Sequence, residues 1–329
     1  MQDSPVRGPL LLLGGRANRP LAAEIAQLLD TSADGASIRN FSDGEIFVRI
    51  DRNARGRDVF IIQPTVSHAD TLMELLLLID AARRASAAHV TAVVPYFGYG
   101  RQDRKDQPRV SIAAKLVANL VVAAGADRLV SIDFHQHQIQ GFFDIPVDHL
   151  YAAPVFNAYF RDQGLENLVV VAPDVGAAKM ARGFANRLGA SFAIIDKRRP
   201  QANVSEILTV VGDVEGRTGL LVDDMVDTGG TIAQAVHALK ERGASSVYVA
   251  ATHAILSGEA VERLAASPLD ELVVTNTIHI PESKRFDRMR VLSVADLLAR
   301  AISYIHANAS VSKLFEHRKR KGRSRAALA

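Results

Sequence analysis

The chain has 329 residues, 48% hydrophobic and 23% charged, a globular balance with enough length for two domains rather than one core. No apolar run approaches the roughly 20 residues of a membrane span, residues 1–9 lack the charged start and long apolar core of a secretory leader, and with no cysteine neither disulfides nor thiolate metal sites can form. The net charge of +3 is small and its excess sits in the C-terminal "EHRKRKGRSRAALA", a solvated tail without the aromatics that stack on bases, so a cytoplasmic protein with neither membrane nor nucleic-acid partner is expected.

In chain order, "FSDGEIFVRI" from Phe41 carries a hairpin turn at Ser42 to Glu45. "TLMELLLLIDAARRA" from Thr71 reads as a helix apolar on most sides, buried by a sheet or by another subunit. Three stretches, "ARRASAAHVTAVVPY", "NLVVAAGADRLVSIDFH" and "LKERGASSVYVAATH", each run from helix through a small-residue stop into an apolar strand and a polar loop, the grammar of a parallel α/β sheet. The pattern lies on both sides of "DIPVDHLYAAPVF", so two doubly wound domains meet near Tyr151 to Val155, where Pro146 and Pro154 favour extended chain. Gly98 and Gly100 precede "RQD" at 101–103 and give it a close-approach loop. His135 ends a strand in "DFH", and Lys197, Arg198 and Arg199 follow the strand "FAIID"; taken alone, the first reads as a structural histidine and the second as a solvated turn.

The most informative stretch is "LLVDDMVDTGGTIAQAVHALKERGA" from Leu220. Leu220 to Val222 read as the end of a buried strand, while Ile232, Ala235, Val236 and Leu239 recur at helical spacing up to Gly243. Residues between them form a strand-to-helix loop, at the sheet edge where ligands bind and where a helix offers unpaired N–H groups to an anion. Asp227 or Thr228 would suffice as a helix cap. Three aspartates and two glycines exceed what a cap needs, and they suit a sugar phosphate. Its phosphate would sit on the Asp227 to Thr231 amides, Gly229 and Gly230 allowing close approach and Thr228 and Thr231 adding hydroxyls; its own hydroxyls or a bridging Mg²⁺ would meet Asp223 and Asp224.

This loop resembles the 5-phosphoribosyl 1-diphosphate (PRPP) loop of type I phosphoribosyltransferases. With "FSDGEIFVRI", "PYFGYGRQDRK", "SIDFHQHQIQGFFDIPVDHLY" and "APDVGAAKMAR" to "IIDKRRPQANVSE", the chain resembles ribose-phosphate diphosphokinases (PRPP synthases) of the phosphate-activated class over residues 11–317. Simple phosphoribosyltransferases share only the loop and one such domain. The resemblance implies phosphoribosyltransferase-like domains at 1–154 and 155–305, a segment at 306–317 packing back on the first, and a basic disordered tail at 318–329. It also implies a homo-oligomer, a hexamer in the family, that uses Mg²⁺ to transfer the diphosphoryl group of ATP to ribose 5-phosphate.

Diphosphoryl transfer gathers negative charge on phosphate oxygens and so calls for cations. By resemblance Lys197 and Arg199 are those cations. Phe41, Asp43 and Glu45 of a neighbouring subunit meet ATP together with Arg101, Gln102 and Asp103; His135 and Asp174 hold the Mg²⁺ nucleotide. Asp174, Asp223, Asp224, Asp227, Thr228, Gly229, Gly230 and Thr231 take ribose 5-phosphate. Ala177 stands where relatives carry Gly and Met180 where many carry Arg, and Met180 lends a non-catalytic regulatory paralogue its one support. Arg55, Lys105, Arg109, Gln140, Asp148, Ser310, Val311, Ser312 and Phe315 match the family's regulatory anion site, but Asn53, Gln107, Pro108 and His149 depart from it. Weakened phosphate activation is expected, with a pH term from a charged His149.

Overall fold

The computed structural model describes residues 7–66, 69–198 and 207–315. The first half forms a parallel sheet in the order β1 (Leu10–Gly14), β4 (Asp58–Ile62), β5 (His89–Val94), β6 (Arg128–Ile132) and β7 (Val147–Leu150). Every residue of β4 is buried, so both faces of this sheet must be covered. Leu11, Leu13, Val59 and Ile61 face α2 (Ala69–Arg84) and α3 (Ala113–Ala124), while Leu12, Phe60 and Ile62 face α1 (Arg19–Leu28). The β2 (Ala36–Asn40) and β3 (Ile46–Ile50) hairpin lays Ala36, Ile38, Val48 and Ile50 on the α2 side, which explains why α2 is apolar beyond one stripe.

The second half forms a sheet in the order β10 (Ile207–Val211), β9 (Ser191–Arg198), β8 (Leu168–Ala172), β11 (Thr218–Val226), β12 (Ser246–Ala254), β13 (Glu271–Thr275) and β14 (Met289–Leu292). All its neighbours are parallel except β10, which returns antiparallel to β9. The helices α5 (Ala178–Leu188), α6 (Gly230–Glu241) and α7 (Ala260–Ala266) pack on it. The two halves share one apolar cluster: Leu12, Phe60 and Ile132 join Val170, Leu220 and Val273 through Phe156 and Phe160 of α4 (Ala153–Asp162) and Leu298 and Ile302 of α8 (Ala295–His306). Among the described residues no helix is long and apolar enough to cross a membrane.

Two local expectations change. Pro154 lies in the first turn of α4 rather than in extended chain, a position where its missing N–H costs no helical bond. The strand β11 continues to Val226, past the apolar run ending at Val222, because β12 pairs with Asp223, Met225 and Val226 after the β8 partner has stopped at Leu221. This overhang carries the acidic pair out at the carboxyl edge of the sheet.

Candidate active site

The acidic overhang supplies the first element. Asp223 and Asp224 are adjacent on β11, and the Asp224 amide donates to Asp223 Oδ1 at 2.9 Å. Burial and the neighbouring Asp224 charge push the Asp223 carboxyl up to about 8. Asp224 goes the other way: although burial raises it, the hydrogen bond and charge of His135 hold it below the usual carboxylate range. A carboxylate only accepts, so His135 Nδ1 donates to Asp224 Oδ2, at 2.8 Å. That hydrogen bond in turn raises the His135 pKa against the effect of burial. His135 comes from the end of β6, in the other half of the chain, so this pair crosses the join between the two sheets.

The helix after the overhang is left open. Gly229 is the residue before α6, with φ of +71° and no side-chain cap, so the first amides of the helix stay available to an anion. Neither Asp227 nor Thr228 caps it, which removes the simple capping explanation of this loop. A side chain at Gly229 would meet Leu264 at 3.0 Å as well as the left-handed backbone. Asp227 is held by Arg101, whose Nη1 donates to Asp227 Oδ2 at 2.6 Å, so the "RQD" loop already touches the glycine-containing loop. Asp174 folds back to accept from the Ala177 amide at 2.9 Å, and α5 likewise begins without a side-chain cap.

Other predicted site residues lie elsewhere. Gln102 is exposed, whereas Asp103 is buried and accepts from Gln138 at 3.1 Å. Phe41 is 43% exposed at the hairpin tip, stacked edge-on to Phe47, with the Arg39 guanidinium over both rings. Asp43 and Glu45 shape the turn, the Glu45 amide donating to Asp43. None of these hairpin contacts involves His135, Arg101 or residues 223–231. The Lys197 backbone pairs with Leu208 in the β9–β10 ribbon; its side chain, and the whole of Arg199, lie outside the described residues. Met180 packs on the shared apolar cluster.

His149 corrects one expectation. Its Nε2 accepts from the Phe134 amide at 3.0 Å and its ring lies against Phe134, His137 and Tyr151. Burial, aided by His137 and His253, drives its pKa down to about 4, so it stays neutral near pH 6.5 and supplies no charge to an anion. Sequence reasoning also missed a buried clasp between the halves. Asp133 at the end of β6 accepts from Thr252 Oγ1 at 2.7 Å and from the Ala152 amide at 3.0 Å, and its carbonyl accepts from His253 Nε2 at 3.0 Å. Both Thr252 and His253 sit in the quoted "YVAATH", but nothing in that pattern reveals a partner in the other half.

Chemically, the site offers an acidic, partly protonated edge for hydroxyls or a cation, beside an uncapped helix for a phosphate. Among the described residues no three His, Asp or Glu side chains converge as a complete metal cage.

Residues 10–125 match the family described as the N-terminal domain of ribose phosphate pyrophosphokinase, and residues 199–316 match the phosphoribosyl synthetase-associated domain. A ribose-phosphate pyrophosphokinase of Caldanaerobacter subterraneus subsp. tengcongensis is 52% identical over 308 residues, covering 93% of this chain and 98% of that protein. One from Neisseria meningitidis serogroup B is 51% identical over 309 residues, covering 93% and 94%. The crystal structure of phosphoribosylpyrophosphate synthetase from Mycobacterium smegmatis superposes with a TM-score of 0.87 at 46% identity, over 92% of this chain and 100% of that one.

Proposed function

The chain belongs to the ribose-phosphate pyrophosphokinase family, and from that premise we infer that it transfers the diphosphoryl group of ATP to the C1 hydroxyl of ribose 5-phosphate, giving PRPP and AMP. The observation that carries this reading is the β11 overhang, where two buried carboxylates meet an uncapped helix. In this assignment the 5-phosphate of the sugar lies on the Asp227 to Thr231 amides and hydroxyls, and Asp223 and Asp224 accept from the ribose hydroxyls. That interaction aims the C1 oxygen at the β-phosphorus. The new bond from the C1 oxygen to Pβ forms as the bond from Pβ to the α,β-bridging oxygen breaks; AMP leaves with that oxygen, and the C1 hydroxyl gives up its proton to solvent. Lys197 and Arg199 meet the charge that grows on the transferred oxygens.

The family reaction depends on a metal ion, which we assign as Mg²⁺. A sparse protein site suits an ion that takes most of its ligands from substrate phosphates and water. His135, whose Nδ1 is occupied by Asp224, presents Nε2, and Asp174 presents a carboxylate. When bound, the ion would neutralise phosphate charge and orient the nucleotide.

ATP is assigned to Arg101, Gln102 and Asp103 of one chain with Phe41, Asp43 and Glu45 of another, in a cytoplasmic homo-oligomer of hexameric kind. The separation of the hairpin contacts from those at His135 supports two chains per site. Domain limits at 154/155 fit the change of sheet between β7 and β8, and residues 306–315 return to the first half through His306 on Asp58 and Phe315 on Tyr151. The test of the reaction is the product. Protein, Mg²⁺, ATP and ribose 5-phosphate should yield AMP and PRPP in equal amounts; ADP as the nucleotide product would contradict the assignment. The test of the shared site is mixing: Phe41→Ala and Lys197→Ala chains, each defective on its own at a fixed ATP concentration, should recover activity after subunit exchange, and no recovery would place a whole site on each chain.

A further inference from the structure

Glu74 sits in the apolar stripe of α2 and is 3% exposed. It accepts from the Arg16 amide at 2.6 Å, from Arg16 Nε at 2.6 Å and from Gln63 Nε2 at 3.2 Å. Gln63 in turn accepts from the Ala17 amide at 3.2 Å, and a side chain at Gly15 would collide with Gln63, so the turn after β1 is fitted tightly around this acid. Anchoring that turn would need only the backbone amide and Gln63. The Arg16 guanidinium does more: locked at Nε by Glu74, it extends Nη1 to Asn40 Oδ1 at 2.6 Å. Asn40 is the last residue of β2, and its Nδ2 donates to the Gly44 carbonyl at 3.0 Å. The Asn40 amide therefore closes the turn that displays Phe41, Asp43 and Glu45, and its orientation is set through Arg16 by an acid in the interior.

We propose that Arg16 and Glu74 are positioning residues for nucleotide binding, acting through Asn40 to fix the hairpin tip at residues 41–45. This rests on the reading that the tip contacts ATP. The base of the hairpin is fixed by Ala36, Ile38, Val48 and Ile50 on the α2 side. The tip lies beyond that apolar footing: Asn40 to Glu45 are all exposed. In its place the tip has the polar strut from Glu74 through Arg16. A planar guanidinium whose two edges bind different partners transmits orientation as a flexible ammonium would not. Freed of the strut, the hairpin would still fold, but its tip would sample several arrangements, and the nucleotide would have to select one of them.

The test uses full-length protein and steady-state kinetics. Arg16→Met keeps the apolar stem and the backbone amide that holds Glu74, and Asn40→Ala removes the receiving amide on an exposed strand end. Each should raise KM for ATP about tenfold, the weight of one charge-assisted hydrogen bond, while kcat and KM for ribose 5-phosphate stay near wild type; the thermal midpoint holds in Asn40→Ala and falls in Arg16→Met, which leaves Glu74 buried without its cation. The double variant should be no worse than either single one, because both break the same strut. Phe41→Ala serves as the reference. If it raises KM for ATP and the two strut variants do not, the proposal is overturned while the nucleotide assignment stands. If Phe41→Ala itself leaves KM for ATP unchanged, the assignment falls and the proposal with it. Multiplying effects in the double variant would show that Arg16 acts by another route and would also overturn the proposal. Should Arg16→Met fold poorly, Asn40→Ala alone against Phe41→Ala decides the question.

Discussion

Glu74 on the buried face of α2 and the Asp223–Asp224 pair beyond the apolar run of β11 place carboxylates in the interior, and the fold treats them in opposite ways. Around Glu74 the protein supplies three donors of its own, one of them a guanidinium. Around Asp223 it supplies one backbone donor, the Asp224 amide, together with burial and a second carboxylate, and the acid is driven up to about 8. The first arrangement holds the fold in place; the second leaves a buried acid beside a like charge, which a proton, a hydroxyl donor or a cation would relieve. Strongly raised acids gather at binding sites as well as in structural networks; Asp133, raised to about 6 by burial, belongs to the clasp between the halves.

The largest effect expected lies on the reacting side. If the acidic pair holds substrate while Lys197 near the end of β9 and Arg199 just past it meet the transition state, Lys197→Ala or Arg199→Ala should lower kcat by about 10² or more with little change in either KM. Near-normal turnover in both would leave the chemistry unassigned. On the structural side, Glu74→Ala strips an acceptor from three donors and opens a void, and should cost roughly 2 to 4 kcal/mol in urea unfolding. A loss near zero would mean that Glu74 is no better satisfied than Asp223, and the comparison would fail.

A third and smaller effect separates His149 from both. Its folded pKa, near 4, is depressed below the unfolded value of about 6.5. The unfolded chain therefore binds the extra proton first; the stability contribution is complete above about pH 6.5 and is lost as pH falls towards 4. Replacing His149 by Asn should flatten the fall in thermal midpoint across that window relative to wild type. Phosphate activation should keep the same pH profile between 6 and 8 in both proteins, since His149 carries no charge there. A profile that changes with the substitution would return His149 to the anion site.

Much of this arrangement was legible in the sequence because it is local. The strand, the glycine pair and the helix spacing of residues 220–243 lie within one stretch, and the α/β grammar repeats in both halves. The length of β11 was not legible, since Asp223 to Val226 are kept in strand by β12 pairing rather than by their own apolarity. Contacts across long separations were equally hidden: His135 with Asp224, Arg101 with Asp227, and Arg16 with Glu74 each join segments that no periodicity connects. The lone Glu in "TLMELLLLID" was the one visible trace of the strut, because an acid amid so many buried leucines requires a partner. His149 was misjudged because a histidine among aromatics looks the same in sequence whether it faces solvent or the Phe134 amide.

The most direct test of the contrast is Asp223→Asn, read for stability and for substrate binding on the same preparation. Removing an acid whose charge burial and Asp224 disfavour in the free protein should raise stability, by about 1 kcal/mol or more at neutral pH, while kcat/KM for ribose 5-phosphate falls by about 10². A variant that is both less stable and unimpaired towards ribose 5-phosphate would show that Asp223 serves the fold as Glu74 does, and the assignment of the β11 edge to substrate would be withdrawn.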